Sequence, residues 1–257
     1  MSRSRIFPAF LFLLALLFPF GPLAAQTREL HIAAASDLQP VLPVLARDFE
    51  QETGIHLELS FGSSATLATQ ILNGAPMDVF LSADFLFPEK IVAAELAEEK
   101  APEPYAKGTL VLWARKDSPI KPLTLDKLAD PQVTRIAVAD ELHAPYGRAA
   151  YAAMRSMKTL DALKPKLVVA ENIAQTGQFI DSGNAQMGFI SLTMASQQHY
   201  KEIGDYVLVP KVYPEIQQCG VVMKGSKNLA DAKTFMAWMR SPKVQNRLKD
   251  FGLAPAL

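Results

Sequence analysis

Four short polar stretches recur in this 257-residue chain, each between an apolar strand pattern and a helical one. They are Ser36-Asp37, Gly62-Ser63-Ser64, Pro145-Tyr146-Gly147 and Glu171-Asn172-Ile173. Ser, Asp and Asn favour helix N-termini, where backbone N–H groups have no acceptor inside the helix. With the positive end of the helix dipole behind them, such starts attract anions. Hydroxyl, phenol and amide donors are uncharged, and several aimed at one point can hold a dianion. An oxyanion fully deprotonated at neutral pH, such as sulfate or molybdate, needs donors only. Hydrogen phosphate needs an acceptor as well, and Asp37 could serve. Cations are scarce, with no Lys or Arg in the first two turns and only Arg148 near the third. Any one of these turns also reads as an ordinary capped helix. Their repetition is what points to a shared ligand.

The elements that must position them alternate. Apolar patterning predicts strand 30–35, helix 38–52, strand 55–61, helix 67–72 and strand 79–81. The alternation restarts with strands 109–114 and 135–139, helix 148–157, strand 166–170 and helix 173–181. Strands 187–190, 206–209 and 220–223 follow, then helices 229–240 and 243–251. Ala33, Ala34 and Ala35 leave room above the first strand for a close approach. This is an α/β chain in two similar halves with parallel sheets. Proline-marked passages near 102–108 and 210–217 suggest two crossings between lobes. Lobe I is then 26–107 plus 217–257, and lobe II is 108–216. Ligands of such sheets bind beyond the carboxyl ends of the strands. Two turns from each lobe would meet in the cleft between them.

The first 25 residues read as a secretory leader. Arg3 and Arg5 precede an apolar stretch, and Leu23-Ala24-Ala25 is a small-residue cleavage site. Cleavage would leave Gln26 first, which is no lipidation site, and the periplasm is the expected destination. Its loss removes two arginines and no acids, taking the formal charge from 0 to −2. No basic patch invites nucleic acid or a membrane surface. The single cysteine, Cys219, excludes an intrachain disulfide and is expected to be buried.

Several stretches carry a family resemblance. They are Ala-Ala-Ala-Ser at 33–36, Phe-Gly-Ser-Ser-Ala-Thr-Leu-Ala-Thr-Gln-Ile at 61–71, and Gly-Ala-Pro-Met-Asp-Val-Phe-Leu-Ser-Ala-Asp at 74–84. Tyr105-Ala106-Lys107-Gly108 and Pro-Lys-Leu-Val-Val-Ala-Glu-Asn-Ile at 165–173 add to them. Together they resemble the periplasmic molybdate-binding proteins of ABC importers over nearly the whole chain after the leader. The resemblance implies the two-lobed periplasmic binding protein fold of class II. Each lobe would be a mostly parallel sheet flanked by helices, with two crossover strands. It implies capture of molybdate or tungstate, with no cofactor, and a transient inner-membrane ABC permease as partner. A monomer is expected.

Carried over residue by residue, the resemblance maps anion contacts to Ser36 and Ser64, and backbone donors to Tyr146 and Ile173. Many members place a tyrosine after the fourth turn. Here that position is Ser191, so Tyr146 is expected to supply the missing phenol. Asp37 is expected to contribute its N–H, its carboxylate capping the helix and pointing away. Ser63 and Ser191 are candidates of second rank. No protein atom would ligate the molybdenum itself.

Other functions find less support. A hydrolase elbow would need a second glycine after Gly62-Ser63-Ser64-Ala65. His143 and His199 show no acidic orienter in sequence, and no His, Cys and carboxylate cluster has metal-ligand spacing. The tyrosines are too scattered for a ferric site. A binder of another tetrahedral oxyanion, sulfate or phosphate, is the alternative.

Overall fold

Leu30, Ile32 and the three alanines bury β1 (Arg28–Ala35) in the middle of a sheet. The computed structural model describes residues 28–256, so the leader read at 1–25 lies outside the described residues. A 3-10 turn, Ser36–Leu38, follows β1. Next come α1 (Leu42–Thr53), β2 (Ile55–Gly62), α2 (Ser64–Leu72), β3 (Val79–Ser82), α3 (Leu86–Ala93) and β4 (Glu103–Gly108). The chain then crosses into β5 (Leu110–Arg115), β6 (Ile136–Ala139), α4 (Pro145–Ser156), α5 (Leu160–Leu163) and β7 (Leu167–Ala170). It continues through α6 (Ile173–Asp181), β8 (Met187–Ser191), α7 (Leu192–Ala195), α8 (Gln198–Ile203) and β9 (Gly204–Leu208). It returns in β10 (Ile216–Val222) and closes with α9 (Leu229–Met239), α10 (Pro242–Arg247) and β11 (Ala254–Pro255).

Two sheets result, in the orders β11-β4-β10-β3-β1-β2 and β7-β6-β8-β5-β9. Two of the helix-joined successive pairs, β1–β2 and β6–β7, are parallel neighbours. The strands flanking the two crossings, β4, β5, β9 and β10, pair antiparallel with their neighbours. The sheets are therefore mixed, parallel where they carry the helix starts. Pro104 sits within β4 opposite a register shift at Gln218/Cys219, where a missing N–H costs the ladder little.

The first helix departs from its expected span. Residues 36–38 make only a 3-10 turn, and α1 begins at Leu42. Pro40 and Pro43 lack the N–H groups that would reach Ser36 and Gln39 in an unbroken helix. The interruption leaves Ser36 and Asp37 on a tight turn at the end of β1.

Packing is divided between the lobes. In the first, Phe49 is fully buried and meets Phe235 and Trp238 edge-on at centroid distances of 5.2 and 5.3 Å. In the second, Trp113 is buried against Tyr200 at 5.1 Å. Such pairs contribute about 0.5–1.5 kcal/mol beyond area burial. Among the described residues no helix is long and apolar enough to cross a membrane.

Candidate functional site

Strand register brings the turns together. Ala35 pairs with Gly62 at the end of β1–β2, so Ser36 and Ser63 leave the sheet side by side. In the other lobe Ala139 pairs with Ala170, so the segments leading to α4 and α6 also emerge as neighbours. The two edges face each other closely enough for the Ala65 N–H to donate to the His143 carbonyl, 3.2 Å away across the lobes. Between them lies a small, tight cleft. Ser36, Asp37, Ser63, Ser64, Tyr146 and Ile173 all line it, and among the described residues no Lys, Arg or His does.

Each lining residue has its own bonding. Ser36 is buried, and its hydroxyl makes no hydrogen bond among the described residues. Ser64 opens α2, and its Oγ accepts from the Ala83 N–H at 3.2 Å, leaving its own proton to give. Ser63 is the cap of that helix: Oγ accepts from the Thr66 N–H at 3.1 Å and donates to Thr66 Oγ1 at 2.7 Å. The Ser63 hydroxyl is thereby used up locally. Asn172 caps α6 through the Gln175 N–H at 3.0 Å, which leaves Ile173 as the first helical residue. Pro145 and Tyr146 open α4, where helix-starting N–H groups lack i−4 acceptors. Gly147 allows this start to press on β6, since a Cβ there would lie 2.2 Å from the Asp140 carbonyl oxygen.

Two expectations need correction. The Asp37 carboxylate caps no helix. It is wholly buried and accepts from Gln218 Nε2 and, at 3.2 Å, from the Tyr146 phenol. The phenol of Tyr146, whose one proton goes to Asp37, is also an acceptor for Gln218 Nε2 at 3.3 Å. Tyr146 therefore reaches the cleft as a helix start and supplies no free phenol. The cause is electrostatic. A buried carboxylate without a cation draws in the nearest neutral donors. Even so, burial pushes the Asp37 carboxyl up to about 7 against the downward pull of Gln218 and Tyr146. Burial and the neighbouring Asp37 charge hold the Tyr146 phenol well above its ordinary range.

Ser191 lies outside the cleft lining and does a different job. Its Oγ caps α7 through the Met194 N–H at 3.3 Å and meets Thr193 Oγ1 at 2.7 Å. Thr193 gives its proton to the Asp37 carbonyl at 2.8 Å, so Ser191 is the donor in that pair. Arg148, the cation near the third turn, is spent on Asp84 at 2.6 Å across the lobes.

The histidines also differ from the sequence reading. His143 has an acidic partner in Asp140 at 2.8 Å, and His199 has Asp181 at 3.0 Å. Both rings are more than half exposed, and among the described residues neither bonds to a hydroxyl or thiol. Cys219 is buried, with its thiol pushed up to about 12 by desolvation and then by Asp84. No group of three or more potential metal-ligating side chains occurs among the described residues.

Sequence reasoning missed Gln218, which starts neither a helix nor a motif. Its signal was an amide between Ile216 and Cys219 in a stretch that turns out to be strand; a buried amide needs partners.

A family model described as bacterial extracellular solute-binding protein matches residues 30–254. The chain belongs to that family. As a solute-binding protein it is a transport binder and not an enzyme. It is 32% identical to the molybdate-binding protein ModA of Azotobacter vinelandii over 89% of this chain and 91% of that one. It is 33% identical to the ModA of Rhodobacter capsulatus over 90% of each. The solved periplasmic molybdate-binding protein of A. vinelandii superposes with a TM-score of 0.82 at 33% identity, covering 88% of this chain and 98% of that one. This chain thus shares the two-lobed solute-binding fold of that solved structure.

Proposed function

We propose that this solute-binding protein captures molybdate, and tungstate with it, between its lobes and delivers it to an ABC permease. The observation that carries the reading is the convergence of Ser36, Ser64, Tyr146 and Ile173 on one small cleft that no cation among the described residues lines. Neutral donors suit a tetrahedral dianion that brings no proton of its own. The Ser36 and Ser64 hydroxyls donate to its oxygens, and the N–H groups of Ser36, Ser64, Tyr146 and Ile173 complete the shell. Asp37 adds its N–H. No protein atom ligates the metal, and no cofactor takes part. Similarity to proteins named for molybdate binding supports this ligand over sulfate or phosphate, the alternative occupants.

In this account residues 1–25 direct export and are removed, and the remaining chain works as a periplasmic monomer. Residues 26–107 with 217–257 form one lobe and 108–216 the other, closing on the anion by hinge motion. Closure presents one surface to the permease, and release follows its reopening.

Thermal melting with added oxyanions tests the ligand. A ligand that binds only the folded state raises the melting temperature by mass action. Molybdate and tungstate should raise it at concentrations where chloride and nitrate do nothing. A shift with sulfate or phosphate alone would favour the alternative.

A further inference from the structure

We infer that Asp37 carries a proton on Oδ1 whenever a dianion fills the cleft, so that capture above neutral pH takes a proton from solvent. The inference rests on the oxyanion reading above and adds a coupling to it.

The hydrogen-bond network around Asp37 is short of donors. Its acceptors include both oxygens of Asp37, Oε1 of Gln218 and the Tyr146 phenol oxygen. Its donors are the two Gln218 Nε2 protons, one given to Asp37 Oδ2 and one to the Tyr146 phenol oxygen, and the phenol O–H, also given to Asp37 Oδ2. Asp37 Oδ1 and Gln218 Oε1 are buried without any partner. A proton on Oδ1 adds the missing donor and neutralises a carboxylate that is wholly shielded from water.

No charge nearby offers an alternative. The turn bearing Asp37 packs on β2, α6 and α7, and its side chain meets α4 and β10. On these elements the titratable groups near it are Tyr146 and Cys219, joined by Tyr105 from β4. Tyr105, Tyr146 and Cys219 are acids held neutral by burial. Asp84 lies beyond and is paired with Arg148. In β2, His56 faces Glu50 instead, and in α6, Asp181 faces His199 and Arg115. Glu171, before α6, meets Thr66. With the cleft unfilled, burial already pushes the carboxyl up to about 7. A dianion against the same wall repels the carboxylate and pushes it further in that direction.

The sign of the linkage follows. Molybdate does not titrate above neutral pH, so proton uptake there belongs to the protein. Affinity should fall as pH rises above about 7, toward tenfold per pH unit for one proton.

Calorimetric titration with sodium molybdate at pH 8, in buffers of differing ionisation enthalpy, counts the protons. The full mature chain should take up close to one proton per molybdate. Asp37→Asn should take up close to none, and its affinity should be flat with pH. Tight binding without proton uptake, or equal uptake by Asp37→Asn, overturns the inference and leaves the molybdate reading standing. Failure of molybdate to bind at any pH overturns both. Infrared difference spectra of wild-type protein carrying ¹³C-labelled aspartate need no variant. Molybdate should convert a carboxylate band into a carboxylic acid band, and an unchanged spectrum overturns the inference.

Discussion

The Tyr146 phenol, from the start of α4 in one lobe, donates to the Asp37 carboxylate at the end of β1 in the other, across 3.2 Å. It is a buried bond between the two halves, beside the cleft that the proposed anion occupies. In the proposed function, closure and anion capture would share this residue pair.

Tyr146→Phe removes that bond and leaves Asp37 with Gln218 as its only side-chain donor. In the filled cleft, where Asp37 carries a proton, the bond joins two neutral groups, and such bonds contribute about 0.5–1.5 kcal/mol. Molybdate binding should weaken by up to that amount, read by calorimetry. The Asp37 carboxyl should titrate higher still, because the phenol is one of the groups pulling it down.

Ser36 and Ser64 should separate binding from stability. Ser64→Ala strips the acceptor from the Ala83 N–H as well as a donor from the cleft. An unmet buried N–H costs about 1–3 kcal/mol, so the ligand-free protein should melt earlier. Ser36→Ala breaks no bond among the described residues and should leave that melting temperature nearly unchanged. Both variants should bind molybdate more weakly, by about 1–3 kcal/mol.

Stability without ligand should depend on pH through Asp37. Its carboxyl is raised from 3.8 to about 7 in the folded protein. The folded state thus holds a proton that the unfolded chain releases between those values. The stabilisation is complete below the unfolded value and is lost as pH rises to about 7, by an amount on the order of 4 kcal/mol. Asp37→Asn should flatten this part of the melting-temperature profile and be the more stable form at pH 8.

Gly108 makes room for the phenol. A Cβ there would lie 2.2 Å from the Tyr146 hydroxyl oxygen, with Ile216 also at 3.0 Å. Gly108→Ala should displace Tyr146 from Asp37 and weaken molybdate binding about as much as Tyr146→Phe does. Binding equal to wild type would show that the phenol's position is immaterial.

Much of this site was legible because helix starts announce themselves. Ser36, Ser64 and Asn172 are short polar residues at strand-to-helix boundaries, and the alternation of patterns put two boundaries in each half. What the sequence could not display was which group each donor serves. Ser63 and Ser64 look equivalent, yet one caps α2 and the other clamps Ala83, a choice made by the direction of the chain leaving β2. The role of Asp37 depends on Gln218, which is 181 positions away and reaches it only through the pairing of β10 with β3 and β4. The start of α1 was misread because the apolar face at Val41, Leu42, Leu45 and Phe49 suits a longer helix, while Pro40 and Pro43 remove the bonds it would need. The small helices α5, α7 and α8 went unread for want of enough turns to show a period.

The most direct test of the central claim compares two calorimetric titrations with molybdate, one on the wild-type chain and one on Ser36→Ala/Ser64→Ala. The account predicts one tightly bound molybdate per wild-type chain and binding weakened at least tenfold in the double variant. Equal affinity in the two proteins, or no molybdate heat in the wild type, would contradict it.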